Sequence, residues 1–162
     1  MRQKVPGIII SEDGYILTNN HIVSTSSNSS YYQVDEASKI TVFLYDDETE
    51  YEAKIIGTDE QTDLAVIKID KAGLTPATLG DSSSVQVGEF AMAIGNPFGM
   101  KSSVSSGIIS AIDREVIDQD GKKYTLLQTD TAINSGNSGG ALVNSKGEVI
   151  RNQYFKISRQ WN

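Results

Sequence analysis

A serine set between glycines constrains this chain more than any other feature of its sequence. Residues 134–140 read Asn-Ser-Gly-Asn-Ser-Gly-Gly and lie between apolar runs that are typical of strands. Because glycine accepts backbone conformations that other residues resist, the chain can turn sharply here and point successive N–H groups at one place. Such donors stabilise the negative charge that forms when a hydroxyl attacks a carbonyl. The pattern predicts Ser138 as a nucleophile, and a glycine-rich hairpin with an incidental serine is the alternative. The expected oxyanion-hole residues are Gly136, Asn137 and Ser138.

A catalytic serine needs a base to take its proton, and histidine is the usual base. The sequence contains one histidine, His21. It follows the apolar run at residues 15–17 and the polar residues 18–20, so we expect His21 at the end of a strand, where side chains reach a cleft. A histidine bonded only to local backbone is the alternative.

The third partner of such a pair is a carboxylate that orients the imidazole. Asp63 directly precedes the apolar run Leu64–Ile69, so it is tethered to the edge of a core. A turn residue that opens the strand is the alternative. The order histidine, aspartate, serine along the chain is one of three known orders for this catalytic triad, and it is the order found in chymotrypsin.

Several segments in this order resemble the protease domain of the HtrA (DegP/DegS/Deg) family of trypsin-like serine proteases. They are DGYILTNNH at 13–21, TDLAVIK at 62–68, AIGNPFG at 93–99, SGIISA at 106–111, and residues 128–140. The resemblance extends from about Gly7 to about Ile150. It implies a serine endopeptidase that cleaves misfolded or unfolded proteins through an acyl-enzyme, with His21, Asp63 and Ser138 as its triad.

The fold that this family implies is all-β, with two antiparallel Greek-key β-barrels of the chymotrypsin type. Short apolar runs bounded by Gly, Asn, Asp and Ser predict the same class. We expect one protease domain over residues 1–162, with the first barrel at about 1–75 and the second at about 85–162. Residues 24–38 and the charged stretch 113–123 are predicted loops. After Ile150 the sequence departs from the family pattern, so we expect a second barrel that is incomplete at its C-terminus, and the sequence contains no PDZ domain.

The resemblance also bears on specificity and activation. The sixth position before Ser138 is acidic in trypsin-type members and is Ala132 here, followed by Ile133. We therefore expect a substrate pocket with an apolar floor and a preference for small aliphatic residues. Asn137 replaces the aspartate that pairs with a new N-terminus in digestive relatives, and Ser135 replaces a usual proline, which would leave the loop less fixed.

Composition narrows the choice of partners and cofactors. The formal net charge is −7, and the acidic excess lies in the first half of the chain, which argues against nucleic acid as a partner. There are no cysteines, and no apolar run is long enough for a membrane helix. We expect no metal and no cofactor, because acidic pairs such as Asp46-Asp47 lack the spacing of a calcium loop.

The family is typically exported, and trimers are usual in it. The resemblance therefore implies an extracytoplasmic location, in the cell envelope or secreted, and a possible homo-oligomer. Membrane attachment would come only through a segment outside this sequence. Two other classes remain open: a catalytically impaired peptide-binding or chaperone-like module on the same fold, and a structural fragment that associates through exposed strand edges.

Overall fold

The structure is a computed structural model that describes residues 6–23, 40–45, 47–96, 103–117, 123–133 and 137–152. Short strands bounded by turn residues make up most of it, as the sequence pattern predicts. The chain divides into two compact units, one comprising Gly7–Ala77 and the other beginning at Thr78. Each unit carries its own antiparallel sheet and its own core.

The first unit contains one five-stranded sheet in the order β1-β2-β5-β4-β3. Three hairpin-connected strands, β3, β4 and β5, are joined to β2 by a long connection that brings β2 beside β5, which is a Greek key. A one-turn helix, α1, follows β2 directly. The elements are β1 (Ile8–Ile9), β2 (Tyr15–Asn19), α1 (Asn20–Val23), β3 (Ile40–Phe43), β4 (Glu50–Asp59) and β5 (Leu64–Ile69).

The second unit repeats this plan with the order β10-β9-β6-β7-β8. Here β6, β7 and β8 follow one another and β9 returns beside β6, which again makes a Greek key. A 3₁₀ turn at Ser82–Ser84 precedes the sheet. The strands are β6 (Phe90–Gly95), β7 (Ser103–Ile117), β8 (Lys123–Thr129), β9 (Ala141–Val143) and β10 (Val149–Asn152).

Alternating side chains build a separate core in each unit. Along β5 every second residue is buried, which is the period expected of a strand with one face against a core. Ile69 is 0% exposed in the first core and Ile109 is 0% exposed in the second. Burying an isoleucine side chain stabilises the fold by about 1.5–3 kcal/mol, so each position contributes substantially.

The second sheet curls until its two outermost strands approach each other. The Nη2 of Arg151 on β10 donates a hydrogen bond of 2.8 Å to the carbonyl of Thr125 on β8. Within the described residues these strands share no backbone ladder, so the sheet is a half-barrel. Residues 78–80 cover part of the β10 edge, because the Gly80 N–H donates to the Val149 carbonyl and the Val149 N–H donates to the Thr78 carbonyl.

The predicted all-β fold of two antiparallel Greek-key barrels is confirmed, with the described residues forming two curled half-barrel sheets. One predicted loop is wrong in part. The charged stretch 113–123 was expected to be a loop, whereas β7 continues to Ile117 and β8 begins at Lys123. Arg114 pairs with Leu126 in this hairpin, and its Nε donates to the Gln128 side chain. Charged residues are compatible with a strand here because its faces are largely exposed. The predicted loop at 24–38 lies outside the described residues.

Candidate active site

Asp63 adopts an unusual backbone conformation directly before β5. Its φ is 55°, in the left-handed region that few residues other than glycine occupy and that aspartate tolerates better than most. Two donors hold this conformation through the Asp63 carbonyl: the Asn20 N–H at 3.0 Å and the Asn19 Nδ2 at 2.9 Å. The start of α1 is thereby fixed to the start of β5.

The carboxylate of Asp63 holds His21 at two points. Oδ1 accepts the His21 backbone N–H at 2.9 Å, and Oδ2 lies 2.7 Å from the imidazole Nδ1. Because a carboxylate only accepts hydrogen bonds, Nδ1 carries the proton in this pair, and Nε2 of the neutral ring is left as an acceptor. The Asp63 side chain is 10% exposed and that of His21 is 47% exposed. The arrangement presents an oriented, accessible base.

Ser138 lies in a tight turn that leads into β9. The Gly140 N–H donates to the Asn137 carbonyl at 2.9 Å, and Gly139 between them has a φ of 89°. A positive φ at the third residue of a turn is the type II requirement that glycine satisfies without strain. Ser138 therefore occupies the second turn position, at the bend, and its side chain is half-buried.

The residues expected to shape the substrate pocket lie next to this turn in the chain. Ala132 is exposed, and Ile133 is half-buried and packs against the second core. The Ala132 carbonyl accepts hydrogen bonds from the Ser105 Oγ at 2.8 Å and from the Asn137 Nδ2 at 3.5 Å. Gly136, an expected oxyanion-hole residue, lies outside the described residues.

The predicted site residues thus fall into two groups. His21 and Asp63 are brought together in the first unit, although they are 42 positions apart in the sequence. Ser138, Asn137, Ala132 and Ile133 belong to the second unit.

Several further side chains support the candidate site residues. Asn19 is 1% exposed, and its Nδ2 donates a hydrogen bond to the Asp63 carbonyl. Its position between an apolar strand and the histidine is a sequence signal for such a supporting role. Asp130 accepts the Ile108 N–H at 2.7 Å through Oδ1, and a Cβ on Gly107 would lie 2.2 Å from that oxygen. No local sequence pattern predicts this contact between Asp130 and the main chain at Gly107 and Ile108.

Two further findings concern the part of the chain that the structure describes. No group of three or more His, Asp or Glu side chains there has an arrangement that could hold a metal ion. No helix in the same residues is long and apolar enough to cross a membrane.

Comparison with known proteins gives consistent results. Residues 6–150 match the sequence profile of the trypsin-like peptidase domain family. The chain is 46% identical over 146 residues to a probable periplasmic serine protease do/HhoA-like of Haemophilus influenzae, covering 89% of this chain and 29% of that protein. It is 49% identical over 144 residues to a probable periplasmic serine endoprotease DegP-like of Pseudomonas savastanoi pv. phaseolicola, with 89% and 27% covered.

Solved structures show the same similarity. The structure of the HtrA-type protease AlgW with a decapeptide superimposes with a TM-score of 0.77 at 41% identity, covering 94% of this chain and 43% of that one. AlgW with a tripeptide gives a TM-score of 0.73 at 43% identity, with 88% and 43% covered. The chain therefore spans less than a third of the length of these curated relatives and less than half of these structures.

Proposed function

The chain belongs to the family of trypsin-like peptidase domains, and on that premise we propose that it acts as the protease domain of an HtrA-type serine endopeptidase. The observation that carries the proposal is the double contact between Asp63 and His21, which orients the ring with its proton on Nδ1 and makes Nε2 the acceptor nitrogen. The similarity to serine endoproteases over most of this chain supports it.

The proposed mechanism assigns one step to each side chain. His21 Nε2 removes the proton from the Ser138 hydroxyl as its oxygen attacks the scissile carbonyl. Backbone N–H groups at Gly136, Asn137 and Ser138 stabilise the oxyanion. The imidazolium, supported by Asp63, then gives its proton to the leaving amine. Water, activated by the same histidine, hydrolyses the acyl-enzyme and frees Ser138.

We propose that the substrates are unfolded or misfolded polypeptides cut after small aliphatic residues. The AlgW structures contain a decapeptide or a tripeptide, which supports a peptide substrate for this chain. Ala132 and Ile133 offer no carboxylate to bind a lysine or arginine side chain, and a cation in an apolar pocket without a partner is costly.

We also propose an extracytoplasmic location and a homotrimeric assembly. The relatives are named as periplasmic proteases, which supports the location. The trimer rests on the family resemblance alone. Light scattering of the purified full-length protein measures the assembly directly, and a monomer at micromolar concentration would refute it.

The function is tested with a fluorophosphonate, which labels activated serines, and with matched peptides ending in valine or arginine. The wild type should be labelled and should cleave the valine peptide with the higher kcat/KM, and Ser138→Ala should abolish both. Ser145→Ala, on an exposed turn after β9, is the control and should be labelled like the wild type. Peptide binding without labelling would favour a non-catalytic module instead.

A further inference from the structure

Gly95, at the end of β6, makes an unusually close approach to the Ser138 turn. A Cβ built on Gly95 would lie 2.2 Å from Oδ1, 2.7 Å from Cγ and 3.1 Å from Cα of Asn137. The first two distances are shorter than real Cβ contacts, and the third involves the backbone. A methyl group at position 95 would therefore displace both the amide side chain and the main chain of Asn137.

Asn137 is well placed to transmit such a displacement. It is 6% exposed, it directly precedes Ser138, and its carbonyl closes the turn by accepting the Gly140 N–H. Its Nδ2 reaches the Ala132 carbonyl at 3.5 Å. Its Oδ1 is buried and has no hydrogen-bond partner within the described residues. The position of the Asn137 side chain therefore depends mainly on its close packing against Gly95, which has no side chain of its own.

The other end of the turn also rests on β6. Ala141, the first residue of β9, pairs with Ile94. A Cβ on Gly140 would lie 2.2 Å from the Ile94 carbonyl oxygen and 2.9 Å from the Asn137 carbonyl oxygen. The residues on both sides of Ser138 are therefore seated on two consecutive residues of one strand.

We infer that Gly95 is a positioning residue for Ser138: its lack of a Cβ admits the Asn137 amide and thereby fixes where the turn holds the serine. The inference rests on the proposed function, since it assigns Gly95 a part in the same site. Gly95 has no left-handed φ, so its requirement for glycine comes from this contact and not from backbone conformation.

The test uses four variants of the purified protein: Gly95→Ala, Asn137→Ala, the double variant, and Gly57→Ala. Gly57 is the matched control, because it is an exposed strand glycine with no atom within 4 Å of an added Cβ and no left-handed φ. Two quantities are measured for each variant: the rate constant for fluorophosphonate labelling, and the backbone amide resonances of Ser138, Gly139 and Gly140. Thermal unfolding confirms that each variant is folded.

Gly95→Ala should lower the labelling rate constant by about tenfold to a hundredfold, because a shift of about 1 Å in a catalytic group can cost that much. It should also move the three amide resonances. Removing the Asn137 amide removes the two shortest contacts and leaves only the one of 3.1 Å to Cα, so the double variant should be labelled several-fold faster than Gly95→Ala alone. Gly57→Ala should match the wild type in both measurements.

The inference would be overturned if Gly95→Ala, like Gly57→Ala, had the labelling rate constant and the amide resonances of the wild type. It would also be overturned if the wild type is labelled but the double variant is labelled no faster than Gly95→Ala. If the wild type is not labelled, the proposed function fails, and the inference about Gly95 is then tested by the amide resonances alone. Shifts in Gly95→Ala that reverse in the double variant would then uphold the positioning contact, and their absence would refute it.

Discussion

At the scale of the residue, Asp63 combines a backbone and a side-chain role. Its carbonyl accepts one hydrogen bond from the side chain of Asn19, at the end of β2, and one from the N–H of Asn20, at the start of α1. Its carboxylate accepts two more from His21. The left-handed φ of 55° lets the main chain and the side chain serve the same neighbouring segment. The orientation of the imidazole therefore depends on where the Asp63 carboxylate lies and on its having two oxygens that accept hydrogen bonds.

Asp63→Asn should retain the fold and lower kcat toward the valine peptide by about 10⁴-fold. An amide can present an N–H where Oδ2 now accepts, which would favour the tautomer in which Nε2 carries the proton. The matched control is Asp13→Asn, an exposed aspartate paired with Lys68 at 3.0 Å, which should leave kcat unchanged. A kcat within tenfold of the wild type in a folded Asp63→Asn variant would contradict the proposed role.

At the scale of the element, hydrogen bonds within the β3–β4 hairpin lower the pKa of the Asp47 carboxyl. Hydrogen bonds from the Thr49 hydroxyl, the Thr49 N–H and the Tyr51 hydroxyl lower the pKa of Asp47 to about 2. The Thr49 N–H lies 2.9 Å from Oδ1 and the Tyr51 hydroxyl lies 2.8 Å from Oδ2. Because the folded pKa lies below the unfolded one, the carboxylate stabilises the hairpin above about pH 4, and this contribution is lost as the pH falls toward 2.

Asp47→Asn should lower the thermal midpoint at pH 7, and the difference from the wild type should close as the pH approaches 2. The physical reason is that the protonated wild type and the amide variant then accept the same donors about equally well. The control is Glu48→Gln, an exposed neighbour in the same turn. A difference that stays constant from pH 7 to pH 2 would show that charge on Asp47 does not matter.

A strand that buries one face, such as β5, was predictable from the sequence, and the exposed end of β7 was not. The run Leu64–Ile69 was recognised with its bounds because alternate residues are apolar and buried. The sequence does not predict a strand at residues 113–117, because the side chains there are mostly exposed and charged. The strand is formed by backbone hydrogen bonds to β8 in the hairpin. The helix α1 is a single turn and carries no periodic signal.

The same distinction applies to the candidate site. Ser138 was identifiable because a glycine-rich turn has a local signature, and His21 because it is the only histidine in the sequence. The contact between Gly95 and Asn137 has no such signature, because it joins segments that are distant in the chain and depends on the lack of a Cβ at Gly95. The left-handed conformation of Asp63 follows from contacts with Asn19 and Asn20, which only the folded chain supplies.

At the scale of the whole molecule, two cores of similar construction hold two sheets. Ile69 belongs to the first core and Ile109 to the second, and both are 0% exposed. Each is surrounded by small and branched side chains from its own unit, so truncation of either would leave a cavity that its neighbours fill poorly.

Ile69→Ala and Ile109→Ala should each lower the free energy of unfolding by about 2–5 kcal/mol, from lost burial and the cavity together. Ile117→Ala, at a position 62% exposed on β7, is the control and should change it by less than about 0.5 kcal/mol. Urea unfolding followed by circular dichroism measures all three. A change near zero for either buried position would contradict the core assignment.

The bond from Arg151 to the Thr125 carbonyl has a consequence for how the second sheet responds to substitution. The acceptor is a main-chain oxygen, so any residue at position 125 that keeps the strand in place presents it, whereas the donor comes from the side chain at position 151. This contact between the two outermost strands therefore depends on the identity of one residue and on the backbone path of the other.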